Sequence, residues 1–256
     1  MGVISRTARG WYRGDLPQGG APSVFTPANL TLSGWWTDDY AGAPWTSSAS
    51  LGTSNGKLLD AGTDPGTGTV KNGKTPAGFN GTTEYLQAPV LKSDQFLSPT
   101  EYSYVVLVKP LGVPAASAAI GSAYQDGQFI CGNASEFGLS WSTTGGVAKV
   151  RAWHQDSVST WPETAKVSLP ANTYAMVGVS FKSGALSMSI NCGTPVTVAT
   201  ASVLNLDLGQ ITLGSDGFVD AFAGSDTMEV ITSLSDISSS FPSLKAYFNA
   251  RYALTL

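Results

Sequence analysis

The sequence predicts an all-β fold in which two antiparallel sheets pack face to face. In residues 177–181 and 186–190, apolar side chains alternate with glycine or serine, and this period of two is typical of strands with one buried face. Residues 182–185 between them, Lys-Ser-Gly-Ala, have the composition of a hairpin turn. The chain of 256 residues is 42% hydrophobic and 12% charged and holds 29 glycines, which indicates one large domain with many turns.

Residues 1–22 are predicted to form a basic amino-terminal arm, and residues 23–256 to form the sandwich domain. The arm is basic although the whole chain has a net charge of −4, and such asymmetry is typical of a tail that docks on another surface. Arginine and large aromatic residues also dominate binding hot spots. The predicted docking residues are Arg6, Arg9, Trp11, Tyr12 and Arg13. Two alternatives stay open: a solvated terminus, and a Trp11 that packs back onto the sandwich.

The remaining elements follow in chain order. Residues 30–36 are the first predicted strand, and residues 102–110 form an aromatic-rich strand. The polar stretch 37–78 is too long for a structureless loop, so we expect it to cover one end or edge of the sandwich, pinned by Trp45. Near the carboxyl end, apolar residues at helical spacing follow a proline suited to a first turn and predict a short amphipathic helix. They are Phe241, Leu244, Tyr247, Phe248 and Tyr252, after Pro242.

Residues 79–86, Phe-Asn-Gly-Thr-Thr-Glu-Tyr-Leu, predict a hairpin-like turn on Asn80 and Gly81 that leads into a strand. This phrase, followed by the strand at 102–110, resembles the opening of laminin-G-like, concanavalin A-like domains. The resemblance implies a two-sheet antiparallel jelly-roll sandwich with an amino-terminal arm and a short carboxyl-terminal helix. Variants of this kind are found in bacteriophage and bacterial surface proteins.

The later strands of that family also have counterparts, at residues 211–214 and 222–231. The family's paired strands end in Asn-Gly, whereas residues 191–193 of this chain read Asn-Cys-Gly. The inserted Cys192 and the distant Cys131 either form one disulfide or remain free thiols.

The sequence gives little support to catalysis. The resemblance implies that hydrolases of this fold set two glutamates and an aspartate at alternating positions of one strand, because the catalytic pair stands about 5–5.5 Å apart. The glutamates of this chain are isolated from one another, at Glu84, Glu101, Glu136, Glu163 and Glu229. Nucleophile schemes also need a base, and His154 is the only histidine. We therefore expect no enzymatic activity.

His154 continues a strand in which Ala148, Val150 and Ala152 are predicted to face the core. A buried, hydrogen-bonded structural histidine is the favoured interpretation. One histidine and two distant cysteines also supply no transition-metal cluster.

Calcium is the one cofactor that the resemblance brings into question, since such domains often bind it through loop oxygens. The candidates are Asp216, Asp220 and Asp226, with solvated turn aspartates as the alternative.

A surface for glycans or for a protein partner is predicted around four residues. In the predicted strand, Trp153 points away from the core together with Lys149 and Arg151. Trp161, Tyr124 and Asp126 lie in loops near it. Exposed aromatic residues of this kind mark contacts, and the sequence does not decide between a sugar and a neighbouring subunit.

Two non-enzymatic functions follow. The first is a virion surface component of a bacteriophage, such as a capsid decoration, fibre or tail-associated subunit, that docks by its arm on virion proteins or on other copies of itself. The second is a carbohydrate-binding lectin module, with a glycoside hydrolase a distant third. The acidic charge argues against nucleic acid. No apolar run reaches the ~20 residues of a membrane span, and the start lacks the apolar centre of a signal peptide.

Overall fold

The computed structural model describes residues 25–37, 39–48, 57–60, 63–87, 97–112, 128–133, 136–144, 147–156, 160–203, 211–214 and 223–256. Short turns of 3₁₀ helix form at Pro27–Asn29 and Ser238–Ser240. The strands are β1 (Gly34–Trp36), β2 (Trp45–Thr46), β3 (Lys57–Asp60), β4 (Gly66–Thr67), β5 (Ala77–Asn80), β6 (Leu86–Gln87), β7 (Glu101–Pro110), β8 (Gln128–Asn133), β9 (Phe137–Thr144), β10 (Val147–His154), β11 (Val167–Ser168), β12 (Ala175–Lys182), β13 (Ala185–Ile190), β14 (Val196–Ala199), β15 (Thr212–Leu213) and β16 (Gly224–Ser233). They are followed by the helix α1 (Phe241–Tyr252).

The strands form two sheets of eight. The first, called the helix-side sheet, has the order β14-β13-β12-β7-β16-β5-β4, with β1 also paired to β16. The second sheet has the order β11-β10-β9-β8-β15-β6-β3-β2. The paired strands described in both sheets are antiparallel. The predicted all-β, two-sheet sandwich is therefore confirmed.

The main core lies between the two sheets. Alternate residues of β7, such as Tyr104 and Val106, pack there against Leu139, Trp141 and Val150 of the second sheet. The intervening residues of β7 point to the other face of the helix-side sheet, as the period of two requires. Burial on both faces explains why β7 reads as a nearly continuous apolar run.

The helix α1 covers the outer face of the helix-side sheet and forms a second core there. Leu244 and Phe248 pack against Val105 and Leu107 of β7. The predicted helix and the first-turn position of Pro242 are both confirmed. The sandwich thus has three layers: helix, sheet and sheet.

A buried carboxylate ties the end of α1 to this sheet. Glu229 of β16 is fully buried. It accepts a hydrogen bond from the Trp35 indole Nε1 at 2.6 Å and another from the Tyr252 hydroxyl. Because a buried acceptor is costly to leave unpaired, these two donors help to fix the last turn of α1.

The turn at Asn80 and Gly81 differs from its prediction. Gly81 has the expected positive φ of 76°, and Asn80 Oδ1 accepts the backbone N–H of Thr82 at 2.8 Å. However, β5 belongs to the helix-side sheet and β6 to the second sheet. The turn is confirmed, but the hairpin is wrong, because this turn carries the chain from one sheet to the other.

The polar stretch after β1 supplies edge strands. The strand β2 ends the second sheet, and β4 ends the helix-side sheet. Trp45 is buried and donates from Nε1 to the Thr37 carbonyl at 2.8 Å, which confirms its predicted pinning role. The first strand is shorter than the predicted 30–36, because only Gly34–Trp36 pairs with β16.

Two further sequence expectations have outcomes in the fold. The hairpin between β12 and β13 turns at Ser183 and Gly184, whose φ angles are 51° and 75°. Cys192 is a free thiol, which excludes its pairing with Cys131.

Within the described parts of the chain, no helix is long and apolar enough to cross a membrane.

Candidate functional site

A groove of about 460 Å³ lies on the outer face of the helix-side sheet, beside the start of α1. Its floor is formed by β12, β13 and β14, beyond the part of the sheet that α1 covers. The residues that face outward on this floor are small and mostly carry hydroxyl groups. They are Gly178, Ser180, Ser187, Ser189 and Thr197. We call this feature the hydroxyl groove.

The floor is ordered by the strand register. Ser180 of β12 pairs with Ser187 of β13, which pairs in turn with Thr197 of β14. Neighbouring strands are about 4.8 Å apart, so three hydroxyl side chains stand in one row across the sheet. The two hydroxyls nearer the edge of the sheet, Ser187 Oγ and Thr197 Oγ1, are hydrogen-bonded at 2.8 Å. Ser189, opposite Gly178, begins the next row.

The first wall is the 3₁₀ turn at Ser238–Ser240 and the first residues of α1. The ring of Phe241 lies directly on Gly178, where an added Cβ would stand 2.6 Å from ring atom Cε2. Glycine at 178 therefore lets α1 begin against the sheet. Phe241 is largely buried, and the adjoining Pro242 is exposed.

The second wall is the turn that follows β13, with Cys192, Gly193 and Pro195. Two hydrogen bonds anchor this turn. Asn191 Oδ1 accepts the backbone N–H of Met176 at 2.8 Å, and the Asn191 carbonyl accepts from Lys245 Nζ of α1 at 3.0 Å. Because the sheet and α1 each hold a wall, the described groove is preformed.

The described residues that line the groove include no charged side chain. Burial raises the pKa of the Cys192 thiol above its ordinary value, against the opposing effect of the Lys245 ammonium, so this thiol is neutral at physiological pH. On β12, two residues after Ser180, Lys182 Nζ lies 3.9 Å from carboxylate oxygens of Glu101 and Asp236. The groove can donate and accept hydrogen bonds, but the part of its lining that the structure describes offers no charge partner for an ion.

Trp153 does not form the predicted exposed surface. Ala148, Val150 and Ala152 face the core, so Trp153 lies on the opposite face as expected. However, Trp153 is fully buried, and its Nε1 donates to Ser140 Oγ at 2.7 Å. The expectation of an exposed Trp153 is wrong.

A chain segment that crosses this face is the physical reason. Trp153 forms a β-bridge with Glu163, and the backbone N–H of Thr164 donates to the Ala152 carbonyl at 2.9 Å. The half-buried Trp161 packs edge-on against Trp153, with ring centroids 5.7 Å apart. Residues 160–164 therefore cover the strand face that the sequence pattern assigns to solvent.

The other residues predicted for that surface, Tyr124 and Asp126, lie outside the described residues. The same holds for the predicted docking residues of the arm, which are Arg6, Arg9, Trp11, Tyr12 and Arg13. A docking role for the arm stays a prediction.

Asp226 is not a solvated loop residue. It lies in β16, is buried, and forms an ion pair with Lys109 of β7. It also accepts the backbone N–H of Thr69 at 3.2 Å. Asp226 is therefore engaged in structural contacts, while Asp216 and Asp220 lie outside the described residues. The described residues contain no group of three or more potential metal ligands.

His154 has the structural role that the sequence favours. It is fully buried and lies within 3.0 Å of both the Tyr102 hydroxyl, through Nδ1, and Thr200 Oγ1, through Nε2. Burial lowers its pKa to about 4, although the nearby Asp156 carboxylate acts in the opposite direction. At neutral pH it is an uncharged member of a core hydrogen-bond network.

The hydroxyl groove is not among the sites predicted from the sequence. The sequence does show part of it, because serine occupies outward positions of both β12 and β13. Such positions in a half-buried strand are ordinarily solvated, and the sequence does not show that the start of α1 builds a wall beside them.

No protein-family model and no curated protein sequence matches the chain. Among solved structures, domain 4 of AbnA, a GH43 extracellular arabinanase from Geobacillus stearothermophilus solved in complex with arabinotriose, is similar at a TM-score of 0.57. Its sequence identity is 18%, over 84% of this chain and 98% of that domain.

Two larger proteins contain a similar unit. The botulinum neurotoxin serotype G binding domain matches at a TM-score of 0.58 and 12% identity, over 86% of this chain and 52% of its own. Trypanosoma rangeli sialidase, in complex with the inhibitor DANA, matches at a TM-score of 0.57 and 14% identity, over 83% of this chain and 32% of its own. The chain thus spans about a third of the sialidase and half of the toxin domain. At such identities these likenesses establish a shared lectin-like β-sandwich fold.

Proposed function

We propose that this protein is a non-catalytic carbohydrate-binding module and that the hydroxyl groove is its binding site. The observation that carries the proposal is the uncharged, preformed groove floored by Ser180, Ser187, Ser189 and Thr197. Serine and threonine hydroxyls both donate and accept, as sugar hydroxyls do. Its volume of about 460 Å³ lies within the usual range for small-molecule sites, about 300–1,000 Å³.

The structural neighbours support a binding module over the other classes. Domain 4 of AbnA is matched over nearly its whole length and was solved with arabinotriose. The likeness therefore extends over a whole domain with a bound saccharide. Fold similarity alone does not determine function, so the step to this chain rests on the groove.

The absence of catalysis is part of the proposal. The described groove lining contains no carboxylate, histidine or basic side chain that would act as acid, base or nucleophile. Two of the glutamates have structural partners, since Glu163 is paired with Arg151 and Glu229 accepts from Trp35 and Tyr252. The alternative role as a virion component depends on residues 1–22, which lie outside the described residues, and stays a prediction.

A glycan array followed by titration calorimetry with arabinotriose and with the best array glycan tests the proposal. We expect saturable binding, with the saccharide recovered unchanged after long incubation. Folded protein that binds no glycan on the array would contradict the binding function. Shortened saccharide after incubation would contradict the non-catalytic part.

A further inference from the structure

We infer that the hydroxyl groove takes an uncharged saccharide without calcium, and that the hydroxyl row Ser180–Ser187–Thr197 recognises it. This inference rests on the proposed carbohydrate-binding function and specifies its ligand class and contact residues.

The charge of the groove decides the ligand class. Binding sites for carboxylated or phosphorylated ligands usually supply arginine, lysine or a helix N-terminus with its polar groups free. The start of α1 forms one wall of the groove, but the N–H groups of Ser240 and Phe241 donate to the carbonyls of Ile237 and Ser238, and Pro242 has no N–H.

Among the described residues, none with a cationic side chain lines the groove. The lysines described on the neighbouring elements have partners of their own. Lys182 Nζ lies 3.9 Å from carboxylate oxygens of Glu101 and Asp236, and Lys245 donates to the Asn191 carbonyl at 3.0 Å. An anionic sugar would lose its hydration here without gaining a charge partner.

Calcium has no place among the described groove residues. The ion takes six to eight oxygen ligands, usually with carboxylates among them. Within the described part of the chain, no aspartate or glutamate lines the groove, and no group of three potential metal ligands is present. Recognition must therefore come from direct hydrogen bonds and from apolar contacts.

The arrangement of the row supplies both kinds of contact. The three hydroxyl side chains stand on neighbouring strands about 4.8 Å apart, and the hydroxyl oxygens of Ser187 and Thr197 lie 2.8 Å from each other. Each hydroxyl can rotate to donate or to accept, so the row can match vicinal sugar hydroxyls. The exposed Pro242 on one wall and Pro195 on the other give apolar surface to the C–H faces of the sugar.

The test compares two saccharides of equal length that differ in charge, galactotriose and trigalacturonate, each with calcium and with a chelator. The site variant is Ser187→Ala/Thr197→Val, which removes the hydrogen-bonded pair at 2.8 Å. The matched control is Ser98→Ala/Thr100→Val. It removes a similar hydroxyl pair, 3.1 Å apart, that does not line the groove.

Cys192 gives an independent report on location, because it forms part of the second wall. Alkylation of this thiol is followed by peptide mass spectrometry, which separates it from Cys131. Galactotriose bound in the groove should slow the labelling of Cys192. The protein stays wild type in this measurement, so no variant has to fold.

We expect galactotriose to bind equally with calcium and with chelator, and at least about tenfold more tightly than trigalacturonate. The site variant should weaken binding about tenfold or more, the control should match wild type, and Cys192 should be protected. Preference for trigalacturonate, or loss of binding in chelator, would overturn the ligand class. Glycan binding that leaves Cys192 unprotected and is unchanged in the site variant would overturn the location while the proposed function stands. Folded protein that binds no glycan would remove the proposed function itself.

Discussion

The single histidine of the chain, His154, leads to a specific prediction about protein stability at acidic pH. The pKa of His154 falls from 6.5 to about 4 in the folded protein, because burial disfavours the charged ring. The groups described around it are the Tyr102 hydroxyl, Thr200 Oγ1, the Phe181 ring and the Asp156 carboxylate. Only Asp156 favours protonation.

The direction in which stability changes with pH follows from proton binding. Between pH 6.5 and about 4 the unfolded chain binds a proton at His154 that the folded chain does not bind. Stability is therefore fully present above pH 6.5 and decreases as the pH falls through this window. Each pKa unit corresponds to about 1.4 kcal/mol, so the loss reaches about 3 kcal/mol near pH 4.

Urea unfolding at several pH values between about pH 7.5 and about pH 4 measures this loss. The control is His154→Gln, which keeps a polar side chain and removes the only histidine of the chain. The variant starts from a lower stability because its core contacts change, but its free energy of unfolding should depend less on pH by about 3 kcal/mol. Wild type and variant with parallel pH profiles would refute the reasoning.

Three further predictions address the helix, the groove wall and the arm. Gly178→Ala places a Cβ against the Phe241 ring at the start of α1. We expect the free energy of unfolding, measured in urea, to fall by about 1–3 kcal/mol and glycan binding to weaken. An unchanged free energy of unfolding would contradict the close contact. Tyr252→Phe removes a donor to the buried Glu229 and should cost about 1–3 kcal/mol. Tyr174→Phe is its control, because the Tyr174 hydroxyl has no hydrogen-bond partner among the described residues, and equal losses in the two variants would contradict the role of Glu229. A chain that begins at Ala21 keeps every described residue, so we expect it to fold. If the arm drives assembly, its mass in solution should correspond to fewer subunits per particle than that of the full chain; the same number of subunits in both would contradict arm-driven self-association.

The parts of the fold that the sequence predicts are those determined by local pattern. The hairpin at residues 182–185 follows from turn residues between two alternating strands, and α1 follows from apolar spacing after Pro242. In both cases the interactions that form the element lie within a few residues of each other.

The errors occur where distant parts of the chain decide the outcome. Alternation assigns Trp153 to the correct strand face, but only the later segment 160–164 determines that this face is covered. The turn at Asn80 and Gly81 forms as predicted, yet the sheets chosen by β5 and β6 make it a crossover. The groove has the same origin, since its floor and first wall lie about fifty residues apart in the chain. The alternation of side chains along a strand shows which residues share a face of the sheet, but it does not show which other segment packs on that face.

The most direct test of the carbohydrate-binding account is an amide NMR titration of the wild-type protein with a neutral trisaccharide. We expect saturable shift changes centred on β12, β13 and β14 and on residues 238–242, which together line the groove. Shift changes confined to other surfaces, such as the one around Trp161, would contradict the groove as the binding site. A spectrum that no saccharide perturbs would contradict the function itself.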